Sequence, residues 1–113
     1  MNVKHISQPW FDAIVSGKKT YEGRVCTGFW KNLNLGSRFQ ITDGLKIQEV
    51  EVEQLFYFNN FGDAWFTLQD RLIPSSIKNI VVREDAVKLY SKYYSEDEIQ
   101  KNGVVAVKFK IMK

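Results

Sequence analysis

From Val104 to Met112 the chain alternates without a break, with Val105, Val107, Phe109 and Ile111 on one side and Lys108 and Lys110 on the other. A period of two over this length is a strand with one covered face. Such a strand needs neighbours and something apolar laid against it, so the rest of the chain must supply a sheet and its cover. Arg38 to Thr42 is a second strand candidate, and Asp43-Gly44 after it is a strong hairpin signal. Beyond the turn Leu45 and Ile47 share one phase, whereas Val50 and Val52 share the other. A bulge near Gln48-Glu49 would reconcile them and curl the sheet, leaving Glu49, Glu51 and Glu53 outward. Phe56 to Phe58 prolongs the strand, and Val3 to Ile6 makes a short first one.

Helices fill the intervals. Pro9 suits a first helical position, Trp10 to Ser16 places Phe11, Ile14 and Val15 on one face, and Gly17 offers a left-handed stop. Lys19 to Val25 carries no helical stripe and reads as extended. Asn59 to Asp63 is a connection, Ala64 to Leu72 a short helix with Trp65, Leu68 and Leu72 along one side, and Arg83 to Tyr94 the clearest helix, with Ala86, Leu89, Tyr90 and Tyr93 at three- and four-residue intervals. Ser95 with Glu98 has the form of a capping box. The sum is an α+β chain of five or six strands and three short helices, expected to form a single domain over residues 1–113.

Composition narrows the function. A chain of 113 residues hides roughly two thirds of its extended surface, enough for a core without bridges or structural metal. One Cys and one His exclude a disulfide framework and a Cys/His zinc cluster. No spacing among Asp12, Asp43, Asp63, Asp70 and Glu96-Asp97-Glu98 matches a calcium loop, so neither metal nor cofactor is expected. His5 sits among strand residues and reads as structural, and Cys26 has no base at hand to make it a nucleophile. The N-terminus lacks the apolar stretch of a signal peptide and no run is long enough for a membrane span, which points to an intracellular protein, cytoplasmic or nuclear.

The net charge of +3 is unevenly placed. Residues 1–50 hold seven Lys or Arg against four acids, while residues 51–113 hold nine of each, so the whole excess lies in the first half. Its densest polar segment is Gly17-Lys18-Lys19-Thr20-Tyr21-Glu22-Gly23-Arg24. If extended, Lys18, Thr20, Glu22 and Arg24 face one way and Lys19, Tyr21 and Gly23 the other. Arg24 offers a planar fork for phosphate or a base edge, and Glu22 could orient it. Three Trp, five Tyr and eight Phe are more rings than the strands need. Phe39, Phe109, Trp65 and Tyr90 sit at core phases, while Trp10, Tyr21 and Trp30 flank the polar segment and are the ligand-facing candidates.

The stretch from Gln8 to Arg24 resembles the opening of the ASCH domain, a family of the PUA-like superfamily. The Gly-x-Lys-x-x-Glu-x-Arg pattern is met by Gly17, Lys19, Glu22 and Arg24, and Gln8-Pro9-Trp10 is similar to the activating signal cointegrator 1 branch. Gly36, the helix leading to Tyr93-Tyr94 and the strand from Gly103 to Val107 follow the same layout. The resemblance implies a small, strongly curved mixed β-barrel with short flanking helices, and an RNA- or nucleotide-binding cleft beside the motif. The ligand would be RNA, another single-stranded nucleic acid, or a free nucleoside or nucleotide. Small bacterial relatives deacetylate N4-acetylcytidine with a Lys, a Thr and a Glu. Those positions fall on Lys19, Glu22 and, by a looser alignment, Asp70, so a hydrolase of acylated nucleosides or of RNA is the alternative reading. A protein-interaction domain without a nucleic-acid ligand is the third.

Overall fold

In the computed structural model, which describes residues 1–113, five strands form one mixed sheet: β1 (Val3–His5), β2 (Tyr21–Val25), β3 (Arg38–Thr42), β4 (Ile47–Phe58) and β5 (Val104–Ile111). Their order is β1-β3-β4-β5-β2, with β1 parallel to β3 and every other pair antiparallel. Five short helices accompany them: α1 (Trp10–Ser16), α2 (Gly28–Lys31), α3 (Phe61–Leu68), α4 (Arg83–Ser91) and α5 (Glu96–Asn102). The sheet curls into a half-barrel. Its two edge strands, β1 and β2, are first and last in the order and share no ladder.

One face of the sheet is covered by helices, and the other is covered only over β2 and the start of β5. One face carries Phe39, Ile41, Val50, Val52, Val105, Val107 and Phe109, covered by Phe11 and Ile14 of α1 and Trp30 of α2. The other carries Tyr21, Val25, Val104 and Ala106, covered by Phe61, Ala64, Trp65 and Leu68 of α3, by Leu72 and Ile73 beyond it, and by Ala86 of α4. Trp10 packs against both clusters. The alternation of β5 is therefore only half solvated. Lys108 pairs with Glu53 and Lys110 is exposed, but Val104 and Ala106 on that same face are sealed.

Other local expectations shift in instructive ways. Leu45 and Ile47 are exposed, at 94% and 63%, so their phase needs no correction and no bulge occurs at Gln48-Glu49. The register break falls instead between Val52 and Gln54. There it brings Val52 and Leu55, three residues apart, onto one core face. Helix α3 starts at Phe61, inside the expected connection, because the Asn60 side chain accepts the Asp63 N–H at 2.8 Å and caps it. Pro9 is the residue before α1 rather than its first member, and it follows a cis peptide bond. Val15 points outward while Phe11, Ala13 and Ile14 are buried. Gly17 closes α1 at φ 86°, the left-handed geometry expected of it. α4 ends at Ser91, leaving Tyr93 and Tyr94 in the turn that follows. The box at Ser95 forms as expected, with Ser95 and Glu98 exchanging bonds.

Phe39 meets Phe29, Trp30 and Phe109 edge-on with centroids 5.0, 5.8 and 5.6 Å apart, so it is the centre of the first cluster. Phe39→Ala should lower unfolding free energy by about 3–5 kcal/mol in a urea titration, whereas Leu45→Ala should stay within about 0.5 kcal/mol.

Candidate functional site

Where the two edge strands face each other, a cavity of about 360 Å³ opens. β1 and the residues after it contribute His5, Ile6 and Ser7, α1 contributes Trp10, and β2 with its approach contributes Lys19, Glu22, Gly23 and Arg24. The far wall is Ile73, with Leu89 and Tyr90 of α4 and Tyr93 and Tyr94 beyond it.

The polar floor is an ion triad. Glu22 Oε2 accepts from Arg24 Nε at 2.8 Å and also lies 2.8 Å from its Nη2, while Glu22 Oε1 lies 3.6 Å from Lys19 Nζ. Lys19 is 2% exposed and Glu22 7%. Ions taken from water at this depth need partners on every side. Lys19 gains a second one by donating to the Leu72 carbonyl, and Arg24 donates from Nη2 to the His5 carbonyl at 3.1 Å. That last bond spans the seam between β2 and β1. Two cations face one carboxylate, so the floor keeps an excess positive charge.

The strand phase had set Lys19 against Glu22 on opposite faces. The two meet because β2 begins only at Tyr21. Before it, the Lys19 N–H bonds the Ala13 carbonyl and the Thr20 N–H bonds the Arg71 carbonyl, so alternation does not govern Lys19. Burial pushes the Lys19 ammonium below its ordinary range, with Glu22 partly restoring it. For Arg24, burial works against the charge but Glu22 outweighs it, so the guanidinium is held above its usual value. Burial, followed by the nearby Glu22 charge, drives the Tyr90 hydroxyl well above the usual range and keeps it neutral.

The remaining candidates divide. Trp10 lines the cavity and lies 5.7 Å below Lys19 Nζ. Trp30 does not line it. It lies under the Arg24 guanidinium at 4.7 Å and so braces the triad from behind. Tyr21 is also outside, on the opposite strand face from Glu22, where its hydroxyl donates to Gln54 Oε1 at 2.5 Å and its ring stacks on Phe56. Asp70 is exposed on the turn after α3, accepts from Ser75 Oγ at 2.9 Å and does not join the cavity. No three His, Cys, Asp or Glu side chains converge anywhere in the structure.

Tyr90, Tyr93, Tyr94, His5 and Gly23 are among the lining residues that the sequence did not point to. Tyr90 does pack as expected, its ring stacked on Phe61 at 3.9 Å, but its edge reaches the cavity. Three Tyr in five residues, at phases where Leu or Phe would serve a core equally well, were the available signal of a wall with polar tips.

Residues 5–34 match the sequence model of the ASCH domain. In fold, the chain is similar to the hypothetical protein PH0355, with a TM-score of 0.84 at 22% identity and 97% of each chain covered. It is also similar to protein PF0455 from Pyrococcus furiosus, with a TM-score of 0.71 at 19% identity over 98% of this chain and 96% of that one. ASCH from Zymomonas mobilis gives a TM-score of 0.63 at 20% identity over 96% of this chain and 65% of its own. The likeness establishes the small α+β fold. No curated protein matches the sequence, and no helix is long and apolar enough to cross a membrane.

Glu22→Gln would leave Lys19 and Arg24 buried together without their counter-charge, and unfolding free energy should fall by about 3–5 kcal/mol. The exposed Arg38–Glu51 pair at 2.9 Å is the control, and its loss should cost under about 1 kcal/mol. The Lys19 shift gives a pH signature. With the folded value below the ordinary 10.5, the unfolded chain binds the extra proton between the two, so stability rises with pH through that window. Wild type should therefore gain on Lys19→Met as pH climbs toward 10.5, and parallel stability curves would contradict the assignment.

Proposed function

We propose that this chain is an ASCH-domain protein that binds single-stranded RNA or a free nucleotide, seating one base in the cavity between β1 and β2. The observation that carries this reading is the cavity itself: about 360 Å³, ringed by Trp10, Tyr90, Tyr93 and Tyr94, over a floor with two cations and one carboxylate. Aromatic walls stack on any base, and an electropositive floor favours carbonyl or phosphate oxygens. The match over residues 5–34 lies on the same segment that builds the floor, and the Gln8-Pro9-Trp10 opening is the basis for a relation to the cointegrator branch.

Catalysis is the second reading, and Lys19 favours it. A buried amine with lowered proton affinity beside a carboxylate is suited to proton transfer. Asp70, the third group that a deacetylase-like set would use, stands outside the cavity, so any such chemistry would rest on Lys19 and Glu22 with a Tyr hydroxyl. Turnover of N4-acetylcytidine or of short RNA, lost in Lys19→Ala, would establish it. An absence of turnover leaves the binding function.

Tyr93 is 62% exposed at the cavity mouth and its removal should leave the fold intact. Tyr93→Ala should weaken binding of a short single-stranded RNA about tenfold or more, the scale of one lost stacking partner. Affinity should also fall steeply with added salt. RNA binding indifferent to both salt and Tyr93→Ala would place the RNA elsewhere.

A further inference from the structure

We propose that the outward-facing N–H and C=O of Gly23 are the base-reading edge of this cavity. The base that they read carries a lactam, an N–H beside a C=O, as in uracil and guanine. The proposal rests on the nucleotide-binding function above and names the chemistry of its ligand.

The ladder of β2 dictates which main-chain groups are free. β2 pairs with β5 alone, being last in the sheet order. The Cys26 N–H bonds the Gly103 carbonyl at 2.9 Å, and the Phe109 N–H bonds the Thr20 carbonyl at 3.3 Å. In an antiparallel pair the bonded residues recur every second position, so 20, 22, 24 and 26 face β5 while 21, 23 and 25 present their amides to the open edge. Val25 is already engaged, its carbonyl accepting from Thr27 at 2.9 Å and its N–H meeting the Tyr94 hydroxyl. Tyr21 lies outside the cavity. Gly23 alone brings a free donor and a free acceptor to the cavity, and it is buried. A buried main-chain pair with no protein partner is costly to leave unmet.

One residue is too little to template another strand, since added strands bond at alternate residues along an edge. One residue does match a planar group the length of a single amide. The absence of a side chain lets Tyr90 close over the strand face at this residue, since a Cβ there would stand 3.1 Å from the Tyr90 hydroxyl oxygen and 3.3 Å from Leu72. The Gly23 C=O accepts the base N–H, and the Gly23 N–H donates to the base C=O.

The neighbouring charges choose among bases. Lys19 and Arg24 flank Gly23, and Glu22 already receives both of them. A carbonyl oxygen has two acceptor positions and takes the Gly23 N–H together with a second donor from this floor. The ring nitrogen of an amino-imine edge, as in adenine, has one, so the excess cation beside it finds nothing to bind.

Amide spectra of the full chain, labelled with nitrogen-15 and titrated with uridine 5′-monophosphate, test this. The Gly23 amide should move downfield together with signals of Trp10 and Tyr93. N3-methyl-uridine monophosphate, which keeps the ring but loses the N–H, and adenosine monophosphate should both bind about tenfold or more weakly. Equal affinity of either control with the uridine nucleotide overturns the lactam reading while Trp10 and Tyr93 shifts uphold the nucleotide site. No shift at Trp10 or Tyr93 with any of the three overturns both.

Discussion

The half-barrel depends on a charge network at the one place where its sheet does not close. β1 and β2 have no ladder between them, and the bridge that the structure provides is the Arg24 guanidinium donating to the His5 carbonyl. That guanidinium is held by Glu22, which is approached in turn by Lys19, whose ammonium reaches the Leu72 carbonyl. Three charged residues thus tie together both edges of the sheet and the segment that enters the second core. Buried ions are seldom the economical way to stabilise a fold. Here they occupy the wall of a cavity, where an apolar substitute would pack but could not address a ligand.

The sheet itself explains how the cavity arises. The bulge between Val52 and Gln54 bends β4 so that Val52 and Leu55 share a face, and long strands β4 and β5 carry the curl across the sheet. With β5 buried on both faces near its start, two layers of helices are needed, and α4 with the turn after it brings Tyr90, Tyr93 and Tyr94 over the open edge of β2. Trp10, packed against both clusters, fixes α1 relative to both layers and forms the opposite wall.

Sequence patterns exposed a good part of this and missed the rest for identifiable reasons. Strands with strict alternation, such as β5 and β3, were legible because period two survives wherever one face is covered. The bulge was legible too, but in the spacing of Val50, Val52 and Leu55 rather than at Leu45 and Ile47, which are apolar without being buried. The floor of the site could be read from Lys19, Glu22 and Arg24 because it lies within six residues of chain. Its far wall could not, since Tyr90 to Tyr94 reach it only through tertiary packing, at phases identical to those of core residues. Tyr21 and Trp30 show the converse error. Nearness in sequence to a polar segment says little when alternate residues point to opposite faces, and each of these rings supports the site from outside it.

The open seam also bears on how the molecule keeps to itself. An unpaired strand edge is where a second chain most readily adds, and a sheet that fails to close has two of them. In this fold Gly23 on the β2 edge is buried and looks into the cavity, while His5 on the β1 edge lines the same cavity and stays exposed. The β2 edge is screened at Gly23 by the segment after β1 and by the tyrosine wall. The cavity to which the proposed function assigns a planar base is therefore also what covers the one buried stretch of open strand edge, so the missing ladder leaves Gly23 little footing for a foreign strand.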